Sequence, residues 1–156
     1  MLPWLDSLFP RRALFQKDRR LLHLFLGRVL GSTGFSIVIP FLGLYLHGER
    51  QVPMTVVGSV FFVGALAGSL GQVAGGELTD RWGRKIVLVG SQLLRSLAFV
   101  GLGIAVTIHA PIAWFFLLTS LSAIAGRAFE PPSGAMIADI ATGPMRAEYY
   151  AVLRIG

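Results

Sequence analysis

The sequence predicts an all-α membrane protein built as a bundle of transmembrane helices. Of its 156 residues, 54% are hydrophobic and only 14% are charged, whereas soluble domains usually carry about a quarter charged residues. The mean hydropathy is +0.68, and the chain has 19 glycines, which membrane helices tolerate better than soluble ones. We therefore expect the lipid bilayer to surround most of the chain.

Four apolar stretches are long enough to cross a bilayer, which takes about 20 helical residues. The last residues, MRAEYYAVLRIG, stop just as another apolar helical pattern starts, so we expect a fragment of a longer chain. We predict a cytoplasmic N-terminal segment over residues 1–20 and a partial transmembrane bundle over 21–156. Its spans should lie at about 21–46, 54–76, 86–110, 112–140 and, truncated, 147–156.

Lysine and arginine concentrate in alternate loops, and this bias sets the orientation of helical membrane proteins. The N-terminal segment has five basic residues, the loop between the second and third spans has three, and the loop after the fourth has one. The loop between the first and second spans has only Arg50. We expect a multi-pass protein of the cell (plasma) inner membrane with a cytoplasmic N-terminus.

Other classes of function find little support. The net charge of +6 would suit nucleic acid, but the basic residues lie between apolar spans, so we expect no such partner. Cysteine is absent, which excludes thiolate metal sites, and the three histidines lie near span ends. The sequence has no glycine-rich phosphate loop, nucleophile elbow or metalloprotease pattern, so we expect no enzyme, metal or cofactor.

The stretch GGELTDRWGRK, residues 75–85, is a short polar segment between two apolar spans. Its glycines at 75, 76 and 83 predict the tight backbone of a short helical hairpin. Asp80 should lie near a helix C-terminus, where the helix dipole disfavours an anion, so it needs a neighbouring arginine or a helix N-terminus. A membrane-anchoring loop would explain the basic residues, but not the acid among them.

Residues 76–85 closely resemble the signature loop of the major facilitator superfamily, G-x-L-A-D-R-x-G-R-K, and only Thr79 departs from it. In that family the loop joins helices two and three on the cytoplasmic side, as the charges also indicate here. Residues 34–42 are similar to the first helix of drug-antiporter-type members, and residues 131–146 to the end of helix four and the following loop. The resemblance thus extends over nearly the whole chain.

The resemblance implies a fold and a role for the loop. Family members have twelve helices in two six-helix halves, so this chain would carry helices one to four and the start of five of the N-terminal half. Its missing C-terminal half would be a partner, and the loop aspartate of the family is thought to latch the halves together in the outward-facing state. The implied conformational latch comprises Gly76, Asp80, Arg81, Gly83, Arg84, Lys85 and Asp139.

Ionisable residues at bilayer depth are costly and are by default candidates for function. A rise of about 1.5 Å per residue puts Arg95 and Glu130 about 13 Å deep in antiparallel spans, and Arg127 lies one turn from Glu130. We expect Glu130 between these two arginines as a candidate proton carrier, beside a helix kink at Pro131 and Pro132. The candidates for a substrate and proton pathway are Arg28, Arg95, Arg127 and Glu130.

Alternatives stay open for some of these cations. Arg28 and Arg154 lie about 10 Å from the inner surface, and snorkelling to the headgroups explains them as well as a cavity role does. Arg127 lies closer to Asp139 than the helix-four arginine of the family's second signature lies to its acid, so we do not assign it to that signature. Four deep arginines against one glutamate favour an anionic or amphipathic acidic substrate.

Small residues recur along the second span at the four-residue spacing that lets helices approach closely. Packing within the bundle is the favoured interpretation, and dimerisation is the lesser one. The predicted helix-packing residues are Gly64, Gly68, Gly71 and Gly75.

We therefore predict a secondary active transporter that uses alternating access to export drug-like or organic small molecules, with small-molecule substrate and protons as partners. Two alternatives stay open. One is proton-coupled uptake of a metabolite or organic anion, and the other is a small non-transporting membrane protein that assembles with or regulates another.

Overall fold

The computed structural model describes residues 19–140, with side chains placed for residues 26–135. The described chain is helical apart from short connections and contains no strand, which confirms the all-α membrane fold class. Four segments are long and apolar enough to cross a membrane: Leu26–Glu49, Met54–Trp82, Arg84–Thr107 and Ile112–Ala135. The helices are α1 (Arg19–Leu44), continued by a π-helical segment (Tyr45–Glu49), α2 (Met54–Trp82), α3 (Arg84–Thr107), α4 (Ile112–Ala128) and α5 (Glu130–Ile140).

Some predictions fall outside the described residues. They concern the segment before residue 19, the truncated span 147–156, Arg154 and the side chain of Asp139. They remain predictions.

Helix α2 runs six residues further than predicted, through ELTDRW to Trp82. Gly83 alone makes the turn into α3, with a φ of +85° that a residue with a β-carbon adopts at a cost. Gly75 and Gly76, predicted as turn residues, are helical. The hydroxyl of Thr79 donates to the carbonyl oxygen of Gly75 at 2.6 Å, so polar groups of this stretch are satisfied inside the helix.

The end of the bundle opposite Gly83 holds its main apolar core. Leu46, Val60 and Phe115 are fully buried there. The hydroxyl of Tyr45 donates to the carbonyl oxygen of Val106 at 3.1 Å, which ties the end of the first span to α3. Large apolar side chains on the outside are exposed, as expected for surfaces that face lipid, and include Leu30, Phe41, Leu70, Val73 and Leu97.

Helices α4 and α5 meet at Phe129, which divides the predicted span 112–140. Pro131 and Pro132 have no N–H to donate to the last carbonyls of α4, and the amide of Ser133 donates to the carbonyl oxygen of Phe129 at 3.2 Å. Phe129 keeps near-helical dihedral angles (φ −71°, ψ −27°). The prolines thus interrupt the hydrogen-bond ladder where the sequence predicts a kink, without ending the span.

Candidate functional site

A cavity of about 350 Å³ lies among the helices, a size that suits a small molecule. Three of the four predicted pathway residues, Arg95, Arg127 and Glu130, line it. The rest of its lining combines hydroxyl groups with apolar side chains from α1, α2 and α4. Among these lining residues are Ser32, Phe35, Ser36, Ile39, Phe61 and Thr119.

Glu130 forms an ion pair with Arg28, across the bundle. Nη1 of Arg28 on α1 donates to Oε2 of Glu130 at 3.3 Å. Glu130 opens α5, and the first turn of a helix favours an anion through the helix dipole. The sequence predicts Glu130 between Arg95 and Arg127. All three line the cavity and Glu130 acts electrostatically on Arg95, but the ion pair of Glu130 is with Arg28 on α1. Arg28 therefore contacts the cavity acid.

Arg95 occupies a slot between α1 and α4. A β-carbon at Gly31 would lie 3.1 Å from its Nη1, and one at Gly126 would lie 3.0 Å from its Cζ. Glycine on both helices therefore makes room for the guanidinium group. Its Cζ lies 5.4 Å from the ring centre of Phe35 and 5.6 Å from that of Phe99, within the range of cation–π attraction.

Sequence reasoning missed the residues that build this slot. Gln92 lies one turn before Arg95 on α3, and its Nε2 donates to the carbonyl oxygen of Gly27 at 2.7 Å. The available signal was the four-residue spacing of Gly27 and Gly31, which puts both glycines on one face of α1. Gln92 and Arg95 share a face of α3 in the same way, so the two faces can meet.

A stripe of four glycines on α2 faces α4, and every one of them is buried. A β-carbon at Gly71 would lie 2.5 Å from the carbonyl oxygen of Ile124, and one at Gly75 would lie 2.6 Å from the Cα of Ala128. The two backbones are therefore in direct contact beside the cavity. Because α4 covers this face, it is not available for a dimer. The stripe consists of Gly64, Gly68, Gly71 and Gly75.

Apart from Asp139, the residues of the implied latch lie where α2 ends and α3 begins. Asp80 is exposed, and no ion pair to it lies within the described part of the chain.

Two of the basic residues of this stretch have partners of their own. Arg81 pairs with Glu77 at 2.5 Å, because a spacing of four residues in a helix puts both side chains on one face. Nη1 of Arg84 donates to the carbonyl oxygen of Ala135 at 3.3 Å. Arg81 is therefore paired with Glu77 and not with Asp80 in the described part of the chain. Gly76 is helical, Gly83 forms the turn and Lys85 is exposed in the first turn of α3.

Comparison with known proteins adds independent evidence. A family model described as Major Facilitator Superfamily matches residues 24–156. The "Uncharacterized MFS-type transporter YqjV" of Bacillus subtilis (strain 168) is 28% identical over 135 residues, which cover 84% of this chain and 32% of that protein. The "Multidrug resistance protein MdtH" of Shigella boydii serotype 4 (strain Sb227) is 27% identical over 131 residues, covering 83% of this chain and 32% of that protein.

The same-named protein of Escherichia coli O1:K1 / APEC is also 27% identical over 131 residues, covering 83% of this chain and 31% of that protein. The chain spans about a third of the length of these curated relatives. No solved structure matches it significantly. The helical bundle, the signature at residues 76–85 and the match from α1 onwards agree with one another. The chain belongs to the Major Facilitator Superfamily.

Proposed function

We propose that this chain forms part of a secondary active transporter that exports drug-like or other organic small molecules in exchange for protons, by alternating access. The observation that carries the proposal is the Arg28–Glu130 ion pair, at 3.3 Å, next to the cavity. Charged groups inside a membrane are costly, and an ion pair whose side chains are 25% and 40% exposed contributes little to stability, so a functional role is the better explanation. The name "Multidrug resistance protein" of two relatives supports export.

The ion pair links α1 to the start of α5, and protonation of Glu130 would weaken that link. The ionised carboxylate accepts a hydrogen bond from Arg28, whereas a proton on Oε2 removes the negative charge and leaves Arg28 without a counter-ion. A ligand shifts a conformational equilibrium only through its different affinity for the two states. A proton on Glu130 and a substrate in the cavity would both act on the packing of these helices. Binding of the proton and binding of the substrate would therefore be coupled.

Everted inner-membrane vesicles that contain the full-length protein test this proposal. We expect an added substrate to release protons from the acidified lumen, measured as recovery of the quenched fluorescence of an acridine dye. Vesicles without the protein should give no recovery. The proposal would be overturned if none of a panel of organic cations, neutral molecules and anions released protons.

Proton-coupled uptake of a metabolite or organic anion is the second candidate function. Arg95 and Arg127 line the cavity in addition to Glu130, and this excess of positive charge favours an anionic solute. Right-side-out vesicles with an imposed inward proton gradient separate the two candidates. Accumulation of the solute inside these vesicles is expected for uptake and not for export.

We propose further that Asp80 acts as the latch between two halves of the transporter. Its carboxylate is exposed at the end of α2 and forms no ion pair within the described part of the chain, which leaves it available to the other half of the full-length protein. Asp80→Asn keeps the shape and removes the charge, so we expect substrate binding near the wild-type level and turnover lowered by about tenfold, which corresponds to roughly 1.4 kcal/mol. Binding and vesicle transport by the full-length variant measure the two effects.

The matched control is Glu77→Gln, which removes an exposed acid three residues from Asp80 and leaves the Asp80 carboxylate in place. Glu77 is exposed and pairs only with Arg81 in the described part of the chain. Exposed helical pairs contribute little to stability, so transport by this variant should stay close to wild type. Unchanged turnover by Asp80→Asn would remove the latch role.

A further inference from the structure

Arg95 has no directly bonded counter-ion in the described part of the chain, where Glu130 acts on it only as a charge at longer range. It takes part in no ion pair there, and its Nε is buried without a hydrogen-bond partner. Glu130, the acid that lines the same cavity, is already paired with Arg28. Stacking against aromatic rings offsets only part of the cost of burying a guanidinium. A buried donor without a partner calls for an explanation, and a ligand that brings an acceptor supplies one.

The slot holds this guanidinium in one place. The guanidinium fills the space that side chains at positions 31 and 126 would need, which only glycine leaves open. The hydrogen bond from Gln92 connects α3 to α1 beside it. An arginine held in this way presents its N–H donors as a rigid fork, and the fork matches the two oxygens of a carboxylate. Binding would therefore require little reordering of the side chain.

The surroundings of Arg95 suit a ligand with an apolar, flat body. Phe35 both stacks on Arg95 and lines the cavity, together with Phe61 and Ile39. A carboxylate on Arg95 would place an attached aromatic ring along these side chains. Arg127 lines the same cavity and adds a second positive charge, which favours an anion over a neutral or cationic ligand.

We propose that Arg95 binds the carboxylate of an aromatic organic acid in this cavity, so that organic anions are the substrate class of the site. This inference rests on the proposed transport function, because it assigns the substrate of the same cavity. Equilibrium binding nevertheless measures it without any proton gradient.

The experiment compares three probes of one shape on the full-length protein. Naphthoate, naphthamide and naphthylmethylammonium are titrated calorimetrically into the protein in phosphatidylcholine nanodiscs, whose headgroups carry no net charge and do not compete as anions. We expect naphthoate to bind about tenfold to a hundredfold more tightly than naphthamide, as a charge-assisted hydrogen bond predicts. Arg95→Gln should abolish this preference. Arg95→Lys should keep part of it, because the ammonium retains the charge without the fork.

Several outcomes would overturn the inference: absent naphthoate binding, equal affinity for naphthoate and naphthamide, a preference for the cation, or a preference that survives Arg95→Gln. If a variant fails to fold, the affinities of the wild-type protein for naphthoate, naphthamide and the cation decide the inference on their own. Proton release driven only by cations, without naphthoate binding, would overturn the anion site and leave proton-coupled transport standing. Naphthoate binding that depends on Arg95, without proton release by any solute, would support the anion site and overturn the proposed proton-coupled transport.

Discussion

Replacing Gly71 by alanine is expected to lower the thermal unfolding midpoint of the protein, whereas the same change at Gly58 is not. A β-carbon at Gly71 would lie 2.5 Å from the carbonyl oxygen of Ile124 and 2.6 Å from its Cα. Both are backbone atoms of α4, so no flexible side chain can move aside and the helices must separate. Overpacking of a close-packed interface costs about 1–3 kcal/mol, and we expect the upper end of that range here.

Gly58 is the matched control because it lies on the same helix, with nothing within 4 Å of its β-carbon position. Alanine should there recover about 0.5–1 kcal/mol, the helix penalty of glycine, and leave the midpoint equal or higher. The monodisperse fraction of detergent-solubilised protein on size exclusion, recorded after heating, gives both midpoints. Equal midpoints for the two variants would contradict the backbone contact between α2 and α4.

Much of the fold could be predicted from the sequence, because a bilayer imposes strong constraints on chain composition. Apolar stretches of about 20 residues located the four spans, and residues 76–85 pointed to the family. The end of α2 was harder to predict. Glycine and aspartate have low helix propensity, yet Arg81 pairs with Glu77 inside the helix and Gly83 alone makes the turn.

The partners within the charged site could not be predicted in the same way. The rise per residue orders side chains by depth, but it contains no information on the order of helices around the bundle. That order gives Glu130 an ion pair with Arg28 in addition to its electrostatic interaction with Arg95, and depth and spacing did not predict this additional partner. The slot around Arg95 likewise depends on glycines of two other helices, and the periodicity of one helix does not encode such an arrangement.

Glu130→Gln is expected to abolish proton-driven transport by the full-length protein and to leave substrate binding in place. Glutamine keeps the size of the side chain, but it neither binds and releases a proton nor neutralises the charge of Arg28. Proton-driven accumulation should fall to the level of vesicles without the protein, while downhill exchange of labelled for unlabelled substrate should continue. The two vesicle measurements together separate lost coupling from a lost transporter.

The double variant Arg28→Gln, Glu130→Gln distinguishes proton carriage from a structural role of the ion pair. The single change leaves Arg28 without a counter-ion, and for fully buried pairs this costs about 3–5 kcal/mol. The side chains of Arg28 and Glu130 are 25% and 40% exposed, so screening makes the loss smaller here, and removing both charges should recover it. If Glu130 carries the proton, the double variant regains stability and remains uncoupled. Recovery of proton-driven accumulation together with stability would instead mean that the pair only holds α1 against α5.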